Sequence, residues 1–274
     1  MNLTSPTKIA VIGAGNMGEA MITGFLKSGV YHSEDIRVVE VIESRRKYIT
    51  ETHHIQCVDT NEAIAFADAP IIAVEPRHLE EVLQLMKPSL TPNKVVISIV
   101  AGIMLETYRK HLPNNIAVVR VIPNVTCMVR EAMIGICPSE NTSKEKLETA
   151  KSILSLLGQV LVLDEKQLNS ITGFVGSGPA YVAVMIEAMA DAGVRLGIPK
   201  DKSLIMAAQT MLGTAKMVVE TKEHPAKIKD RVTTPGGITA EGLLELEKGR
   251  LRATIISAVG KAAEKTAQIG KQSQ

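Results

Sequence analysis

The chain has 274 residues, a formal net charge of +2 at pH 7, 45% hydrophobic residues and 22% charged residues. This composition is typical of a globular protein with room for two domains, and the small net charge argues against nucleic-acid or anionic-membrane partners. The polar N-terminal stretch MNLTSPTK lacks the apolar core of a signal peptide, and no apolar run reaches bilayer-spanning length. Cys57, Cys127 and Cys137 fit neither a disulfide framework nor a zinc site, so we expect a reducing cytoplasm.

The first informative stretch is KIAVIGAGNMG, residues 8–18. Its apolar run 9–12 is typical of a strand buried on both faces, and a helical pattern begins near Glu19. The glycines between them have the G-x-G-x-x-G spacing that cradles a dinucleotide pyrophosphate at a helix N-terminus. An ordinary glycine turn is the alternative. The loop residues that we predict to contact the cofactor are Gly13, Gly15, Asn16, Met17 and Gly18.

Strand and helix patterns alternate through the first 160 residues. We predict further strands at 36–41, 71–74, 95–99, 117–122 and 160–163, with helices at 43–52, 79–86 and 144–157 among them. This alternation predicts an α/β fold of the Rossmann type, a parallel sheet with helices on both faces, over residues 1–164. Ligands in such sheets bind at the carboxyl ends of the strands.

Charged residues of both signs follow the second strand. A carboxylate there, Glu40, favours a free ribose 2′-hydroxyl and NAD, whereas Arg45 and Arg46 favour a 2′-phosphate and NADP. A solvated helix start of mixed charge is an equally good interpretation, so the sequence leaves all three open.

Small or polar residues follow the later strands. They would let a flat nicotinamide ring lie close to the backbone, although glycine and proline also simply end strands. Asn124 could hydrogen-bond substrate or nicotinamide, or form an Asx-turn. The further residues predicted to contact the cofactor are Asn61, Val74, Pro76, Ala101 and Gly102.

From residue 166 the strand signal disappears, and helical patterns occupy 166–175, 178–197, 201–221 and 238–268. We therefore predict an all-α domain over 165–274. Its segments 180–186 and 204–212 are apolar nearly all round, which predicts packing against a second subunit. A compact helical core within one chain is the alternative.

The stretch DRVTTPGGITAEGL, residues 230–243, carries a second anion-binding signature. Thr233 and Thr234 precede Pro235-Gly236-Gly237, and Thr239 opens a helix. Consecutive backbone N–H groups on a glycine turn before a helix form a nest for a small carboxylate. Alternatively, Thr239 is only an N-cap and the glycines only a turn.

The chemistry available is limited. The chain has no metal-protease, nucleophile-elbow or Walker motif, and we expect its six histidines to be surface residues (His32, His53, His54, His78, His111 and His224). An alcohol dehydrogenase usually needs a positioned acid or base. Because the chain offers no obvious acid or base of this kind, we expect an acceptor that takes a hydride more readily. An imine that carries a carboxylate fits this expectation and the nest.

At this point the chain resembles the pyrroline-5-carboxylate reductase family nearly end to end. The resemblance rests on GAGNMG (13–18), AVEP (73–76), SIVAG (98–102), RVIPN (120–124), GSGPAY (176–181), EAMADAGVRLGIP (187–199), QTMLGTAKM (209–217) and HPAKIKDRVTTPGGIT (224–239). It implies reduction of Δ1-pyrroline-5-carboxylate to L-proline with NADPH, NADH being possible. It also implies a helical domain interleaved into a homodimer, often built into larger rings.

The resemblance also assigns roles. Thr234, Pro235, Gly236 and Gly237 match the family stretch that holds the substrate carboxylate, and Thr239 matches the threonine that faces the ring nitrogen. Two departures lie near the expected nicotinamide pocket: Glu75 where the family usually has lysine, and Val125-Thr126 where it has Thr-Pro.

Two other functions compete with this one. A 3-hydroxyacid dehydrogenase shares the two-domain plan but needs a catalytic lysine on the first long helix of the second domain, where this chain has Tyr181 to Met185 and no lysine. A nucleotide-sensing regulator with a decayed site is the other alternative, and the intact 233–239 loop argues against it.

Overall fold

The computed structural model describes residues 7–272, which form two compact units. The sheet unit consists of the described residues up to Ser177 together with those from Lys261 onward, and the helical unit is Gly178–Gly260. The sheet unit is therefore discontinuous in sequence. A domain boundary between residues 164 and 165 stays a prediction.

The sheet unit contains one eight-stranded sheet with the strand order β3-β2-β1-β4-β5-β6-β7-β8. The strands are β1 Ile9–Ile12, β2 Ile36–Val39, β3 Gln56–Cys57, β4 Ala69–Ile72, β5 Val95–Ser98, β6 Ala117–Ile122, β7 Ala132–Pro138 and β8 Gly158–Val162. The first six are mutually parallel, and their carboxyl ends share one edge.

The predicted parallel sheet holds except at β7. This strand pairs antiparallel with β6, with Ile122 opposite Gly135, and β8 then runs parallel to β7. The connection from β6 to β7 holds only a 3₁₀ turn, Val125–Val129, and a left-handed residue, Arg130 (φ 63°). A connection this short suits antiparallel strands, because a parallel pair needs a crossover of a dozen or more residues.

Helices cover both faces of the sheet, as predicted. Those of the sheet unit are α1 Asn16–Lys27, α2 Glu43–His53, α3 Thr60–Phe66, α4 Leu79–Met86, α5 Leu105–His111, α6 Lys144–Ser155 and α7 Glu165–Ile171. Successive strand residues point to opposite faces, so Val11 packs with Phe25 of α1 while Ile12 belongs to the cluster of Leu83 of α4. The four strands β1, β4, β5 and β6 are thus buried on both sides.

A π-helix, Thr172–Gly176, follows α7. A β-carbon on its buried Gly173 would lie 2.4 Å from the backbone nitrogen of Ala263, so the last part of the chain approaches the π-helix backbone directly. Glycine is the residue that permits this approach.

The helical unit begins with α8 Gly178–Arg195 and α9 Lys200–Thr221 and continues with α10 Pro225–Arg231 and α11 Ile238–Lys248; α12 Leu251–Gln272 passes from it into the sheet unit. α8 and α9 pack closely where the Ser203 hydroxyl donates to the carbonyl oxygen of Ala190 at 2.6 Å. α10 was not predicted. A single helix over 238–268 is wrong, because Gly249 ends α11 and Arg250 adopts a left-handed conformation (φ 54°).

Large apolar side chains are exposed on the helices of the helical unit, among them Val184, Leu204, Ile205, Leu212 and Ile256. A soluble chain rarely exposes so much apolar surface unless a partner covers it.

The expectation that no segment reaches bilayer-spanning length is wrong. By length and hydropathy, the helical segment Glu165–Arg195 could cross a membrane, with only 6% of its most apolar window buried. Glu187, Asp191 and Arg195 lie toward its end and leave the preceding stretch apolar. A helix that packs against a second subunit passes the same test, so this finding is weak evidence for a membrane.

Candidate active site

The glycine loop joins β1 to α1 in the predicted arrangement. Gly13 has φ +96°, and a β-carbon there would lie 2.7 Å from the carbonyl oxygen of Ala73. A β-carbon on Gly18 would lie 2.2 Å from the carbonyl oxygen of Gly13. Both positions therefore require glycine, the first for its conformation and the second because helix and loop backbones touch.

Gly15 serves a different purpose. It is exposed, it is the N-cap of α1, and no atom lies within 4 Å of where its β-carbon would be. The amides of Asn16, Met17 and Gly18, the first three of the helix, have no acceptor within it. The open space above Gly15 and these amides fit a pyrophosphate.

Glu40 lies just beyond the carboxyl end of β2 and contacts the same loop. One carboxylate oxygen accepts the Ala14 N–H at 3.0 Å, and the other accepts the Ile42 N–H at 3.0 Å. Each oxygen retains a lone pair for a further donor. Glu40 is thus fixed where a Rossmann carboxylate reads ribose hydroxyls.

The Arg45 side chain is bonded within the protein, so it is not part of a solvated helix face, and its role toward a 2′-phosphate stays a prediction. Its Nε donates to the carbonyl oxygen of Ala14 at 2.6 Å, and its Nη2 pairs with the carboxylate of Glu19 on α1. The guanidinium also lies 4.9 Å from the ring centre of Tyr48. Within residues 7–272, by contrast, no hydrogen bond or ion pair involves the Arg46 side chain.

His53 is not the surface residue that we expected. Its side chain is 11% exposed, and its Nε2 lies 3.2 Å from Glu19 Oε1. Burial favours a raised pKa for the Glu19 carboxyl, but hydrogen bonds from Arg45, His53 and Tyr48 outweigh it and hold that pKa below its ordinary value. Glu19 is therefore a charged carboxylate at the first turn of α1.

The other predicted cofactor residues lie at different places in the sheet unit. Val74 follows β4 and lies against the glycine loop, with its Cγ1 3.0 Å from the β-carbon position of Gly13. Asn61 lies on α3, where its side-chain oxygen accepts a hydrogen bond from Ser89 at 3.1 Å. Among the described residues, no hydrogen bond links Asn61 to the glycine loop.

Pro76 opens a 3₁₀ turn after β4, and the exposed Ala101 and half-buried Gly102 (φ +78°) form the turn after β5. Glu75, one of the two departures from the family pattern, pairs with Arg77 at 2.9 Å, and both side chains are well exposed. A pair this exposed contributes little stability.

Asn124 is buried at the carboxyl end of β6, and both ends of its amide are engaged. Its nitrogen donates to the carbonyl oxygen of Val175 in the π-helix at 3.1 Å, and its oxygen accepts from the Thr126 hydroxyl. The side chain thus ties β6 to the π-helix, which neither prediction for Asn124 anticipated.

Arg120, four residues earlier on β6, makes a second tie to the same region. It is 2% exposed, pairs with Glu165 and donates to the side-chain oxygen of Asn169 at 3.0 Å. Glu165 and Asn169 lie on α7, directly before the π-helix. Three polar contacts therefore fix the α7–π segment to β6 and to Asn124, which lies just beyond the end of that strand.

The second candidate feature, the Pro235-Gly236-Gly237 turn, belongs to the helical unit. Gly236 has φ +66° with open space at its β-carbon position, whereas a β-carbon on Gly237 would lie 2.3 Å from the Thr234 hydroxyl oxygen. Gly237 is the N-cap of α11, and its amide donates to the carbonyl oxygen of Thr234 at 2.9 Å. The turn leads into a helix N-terminus, as an anion nest requires.

The threonines around this turn differ in their engagement. The Thr233 hydroxyl donates to the carbonyl oxygen of Lys229 at 2.8 Å, so it is already committed. The alternative role of Thr239 as N-cap is wrong, because Gly237 holds that position and Thr239 is the second residue of α11. In the described part of the chain, no hydrogen bond involves the half-buried Thr239 hydroxyl, which leaves it available to a ligand.

A doubly covered sheet whose first strand passes through a glycine loop into a helix, with Glu40 after the next strand, defines a dinucleotide-binding protein of the Rossmann type. The family model for pyrroline-5-carboxylate reductase dimerisation matches residues 165–269, and the model for coenzyme F420-dependent NADP oxidoreductase matches residues 8–102. The pyrroline-5-carboxylate reductase of Methanosarcina acetivorans is 41% identical over 97% of this chain and 98% of its own length. The chain belongs to the pyrroline-5-carboxylate reductase family.

Other relatives agree. The Arabidopsis thaliana pyrroline-5-carboxylate reductase is 35% identical over 96% of this chain and 96% of its own length. The crystal structure of Plasmodium falciparum pyrroline carboxylate reductase with NADP bound matches with a TM-score of 0.87 and 28% identity, covering 98% of this chain and 100% of that one. The predicted family and fold class, with a sheet domain followed by a helical dimerisation domain, are confirmed.

Sequence reasoning missed three functional contacts of the sheet unit. Glu19 pairs with Arg45 across 26 positions of sequence, and Arg120 pairs with Glu165 across 45. The third, Asn124 to Val175, ends on a backbone carbonyl and carries no sequence signal. An arginine within an otherwise apolar strand is a signal that could have indicated Arg120, since a buried charge needs a partner.

Proposed function

We propose that the protein reduces Δ1-pyrroline-5-carboxylate to L-proline, the last step of proline biosynthesis, with NADPH as preferred hydride donor and NADH as an alternative. The observation that carries this proposal is the nest at 234–237, which opens α11 beside the unengaged Thr239 hydroxyl, in a chain matching reductases of this name over nearly its full length. Membership of the pyrroline-5-carboxylate reductase family favours an imine reductase over a hydroxyacid dehydrogenase or a nucleotide-sensing regulator.

The sheet unit supplies the cofactor site. In the proposal, the amides around Gly15 hold the pyrophosphate and Glu40 the ribose, while the remaining predicted residues border the nicotinamide half or the adenosine half (Asn61, Val74, Pro76, Ala101, Gly102, Arg45 and Arg46). The glycine loop supports this assignment, since its open face fits a pyrophosphate. When bound, the nicotinamide supplies a hydride.

The helical unit supplies the substrate site. The proposed ligands of the carboxylate are the backbone N–H groups of Gly236 and of the first residues of α11. Thr234, Pro235 and Gly237 shape the turn, because the Gly237 N–H already donates to the carbonyl oxygen of Thr234. Asn124 is predicted to bind substrate, and in this proposal it does so with the second N–H and the second lone pair of its amide, since each end carries one bond within the protein.

Thr239 is the proposed catalytic residue. Reduction of an imine needs a proton at nitrogen, and a neutral hydroxyl is too weak an acid to donate it outright. Thr239 therefore orients the ring nitrogen and relays a proton from water. As the second residue of α11, it lies within one turn of the nest that binds the carboxylate.

The test is an assay of NADPH consumption in the presence of pyrroline-5-carboxylate, with L-proline quantified as product. We expect one proline formed for each NADPH consumed, and no consumption with the substrate omitted. A small 3-hydroxyacid with NADP⁺ is the matched assay for the alternative enzyme class. Dinucleotide binding without turnover in either assay would support the regulator instead.

The family model that covers the exposed helices is one of dimerisation, which supports a homodimer. We propose that these dimers assemble into larger rings and act in the cytoplasm, with no nucleic-acid or membrane partner. Sedimentation at micromolar concentration tests the assembly: a discrete multiple of the dimer supports rings, and an active monomer contradicts even the dimer.

A further inference from the structure

Two carboxylates, Glu40 and Glu19, and the guanidinium of Arg45 lie at the glycine loop, near the expected position of the adenosine half of a dinucleotide. The Glu40 carboxylate accepts a hydrogen bond from the N–H of Ala14, and the Arg45 guanidinium donates one to the carbonyl oxygen of the same residue. Both side chains are therefore held against Ala14 of the glycine loop, and the carboxylate after the second strand of a Rossmann domain lies beside the ribose and its 2′-substituent.

The positive charge of Arg45 is already balanced by a carboxylate within the protein. Glu19 pairs with its Nη2 while the Nε is bonded to Ala14, so two of its donor positions are used within the protein. Glu19 itself is fixed from its far side by His53, whose ring nitrogen lies 3.2 Å from the other carboxylate oxygen. A 2′-phosphate placed here would meet Glu40 directly and an arginine neutralised by Glu19.

We propose that Glu19 is a positioning residue that limits the preference for NADPH over NADH, because its ion pair with Arg45 weakens the attraction of that guanidinium for the 2′-phosphate. Removing the negative charge of Glu19 leaves the guanidinium beside the loop, held by Ala14, with its charge available to a phosphate. The preference for the phosphorylated dinucleotide should then increase. This inference rests on the proposed function only in requiring that the protein bind these dinucleotides.

If the ion pair between Glu19 and Arg45 had only a structural role, its loss would affect the two dinucleotides equally. The contact joins α1 to α2, so its loss would loosen the loop and weaken the binding of both dinucleotides by a similar factor. Only an effect on the 2′-substituent changes the ratio of the two affinities. The ratio therefore separates the two roles.

The experiment measures the dissociation constants of NADPH and NADH by the fluorescence of the bound nicotinamide, without substrate. In Glu19→Gln we expect the ratio Kd(NADH)/Kd(NADPH) to rise about tenfold, the size of one charge-assisted hydrogen bond. Glu51→Gln is the matched control. It removes the same charge from an exposed carboxylate on α2, whose one ion pair among the described residues is with Lys47, and its ratio should stay at the wild-type value.

The double variant Glu19→Gln/Arg45→Ala tests the route. The rise in Kd(NADH)/Kd(NADPH) should vanish, since the guanidinium that Glu19 neutralises is gone. Loss of the contact between Arg45 and Ala14 should weaken the binding of both dinucleotides by a similar factor. Thermal unfolding confirms that each variant is folded. If Glu19→Gln does not fold, Glu19→Asp, whose shorter side chain withdraws from Arg45, should raise the ratio severalfold.

A ratio unchanged in the folded Glu19 variants, or a gain that persists without Arg45, would overturn the inference while leaving the proposed function intact. A wild-type protein that binds neither dinucleotide would overturn both.

Discussion

The side-chain amide of Asn124 donates a hydrogen bond to the carbonyl oxygen of Val175, 3.1 Å away, and so joins the end of β6 to the π-helix that precedes α8. π-helical turns are rare and often occur at functional sites. Here the turn presents a carbonyl group to the residue at the carboxyl end of a central strand, next to the expected nicotinamide pocket.

This relationship predicts the effects of two substitutions. Asn124→Ala leaves buried groups unpaired and should cost about 1–3 kcal/mol of unfolding free energy. Asn124→Asp should cost more, because it turns a carboxylate oxygen toward the Val175 carbonyl. Thermal melting with kcat and KM well below the midpoint checks this. If Asn124→Ala has wild-type stability but a raised KM, Asn124 contacts the substrate directly.

The glycine loop predicts a contrast between two alanine variants. Gly18→Ala should lower stability markedly, since its β-carbon would lie 2.2 Å from a backbone oxygen. Gly15→Ala meets no atom within 4 Å, so it should melt like the wild type. Its methyl group would nonetheless occupy the space above the helix N-terminus and weaken dinucleotide binding. Calorimetric titration of NADPH distinguishes the two, and tight binding by Gly15→Ala would contradict the proposed pyrophosphate site.

The proposed role of Thr239 predicts that substitutions there change the turnover rate without changing the stability of the fold. Thr239→Ser keeps the hydroxyl and should keep most activity, whereas Thr239→Val should lower kcat by about 10²-fold. Because Gly237 is the N-cap of α11, valine removes no capping bond, and both variants should melt near the wild-type temperature. A Thr239→Val enzyme with wild-type turnover would place the proton route elsewhere.

Gly236 can be tested against a glycine of matched conformation. Gly236 has φ +66° and Gly29 has φ +70°, and neither has an atom within 4 Å of its β-carbon position. Alanine should strain both backbones and cost about 1 kcal/mol at each. Only Gly236→Ala should also raise the KM for pyrroline-5-carboxylate, because it obstructs the nest. Equal KM values in the two variants would argue against carboxylate binding there.

The cysteines predict a pH-dependent effect. Burial raises the pKa of Cys127 to about 11 from an ordinary value of 9.0. The folded state thus favours the neutral thiol, a contribution present below pH 9 and lost as the pH rises toward 11. At pH 8, thiol reagents should modify the half-exposed Cys57 and spare Cys127 until the protein unfolds. Peptide mapping by mass spectrometry checks this, and early labelling of Cys127 would show that its environment opens.

The sequence predicted best those elements whose residue pattern depends on the element alone. β6 and α4 have the predicted bounds, because an apolar run and an amphipathic repeat are local signals. The two-residue β3 was missed because it is too short for a periodic signal. β7, Ala132–Pro138, was also missed, and its antiparallel direction depends on pairing with β6.

The candidate site divides in the same way. The glycine loop and the nest are contiguous in sequence, and their backbone geometry follows from their glycines. The partners of Arg45 and Asn124 depend on tertiary structure instead. No local pattern shows that Glu19 will neutralise Arg45, or that a carbonyl group of the π-helix will engage Asn124.

The discontinuity of the sheet unit has a consequence for synthesis. The stretch that approaches Gly173, beginning at Lys261, is translated only after all of Gly178–Gly260. At about 5–20 residues per second, the ribosome takes roughly 4–17 s over that interval. During this time the nascent sheet unit exposes the π-helix surface that the last helix later covers. The helical unit therefore has the opportunity to fold, and to meet another nascent chain, before the sheet unit is complete.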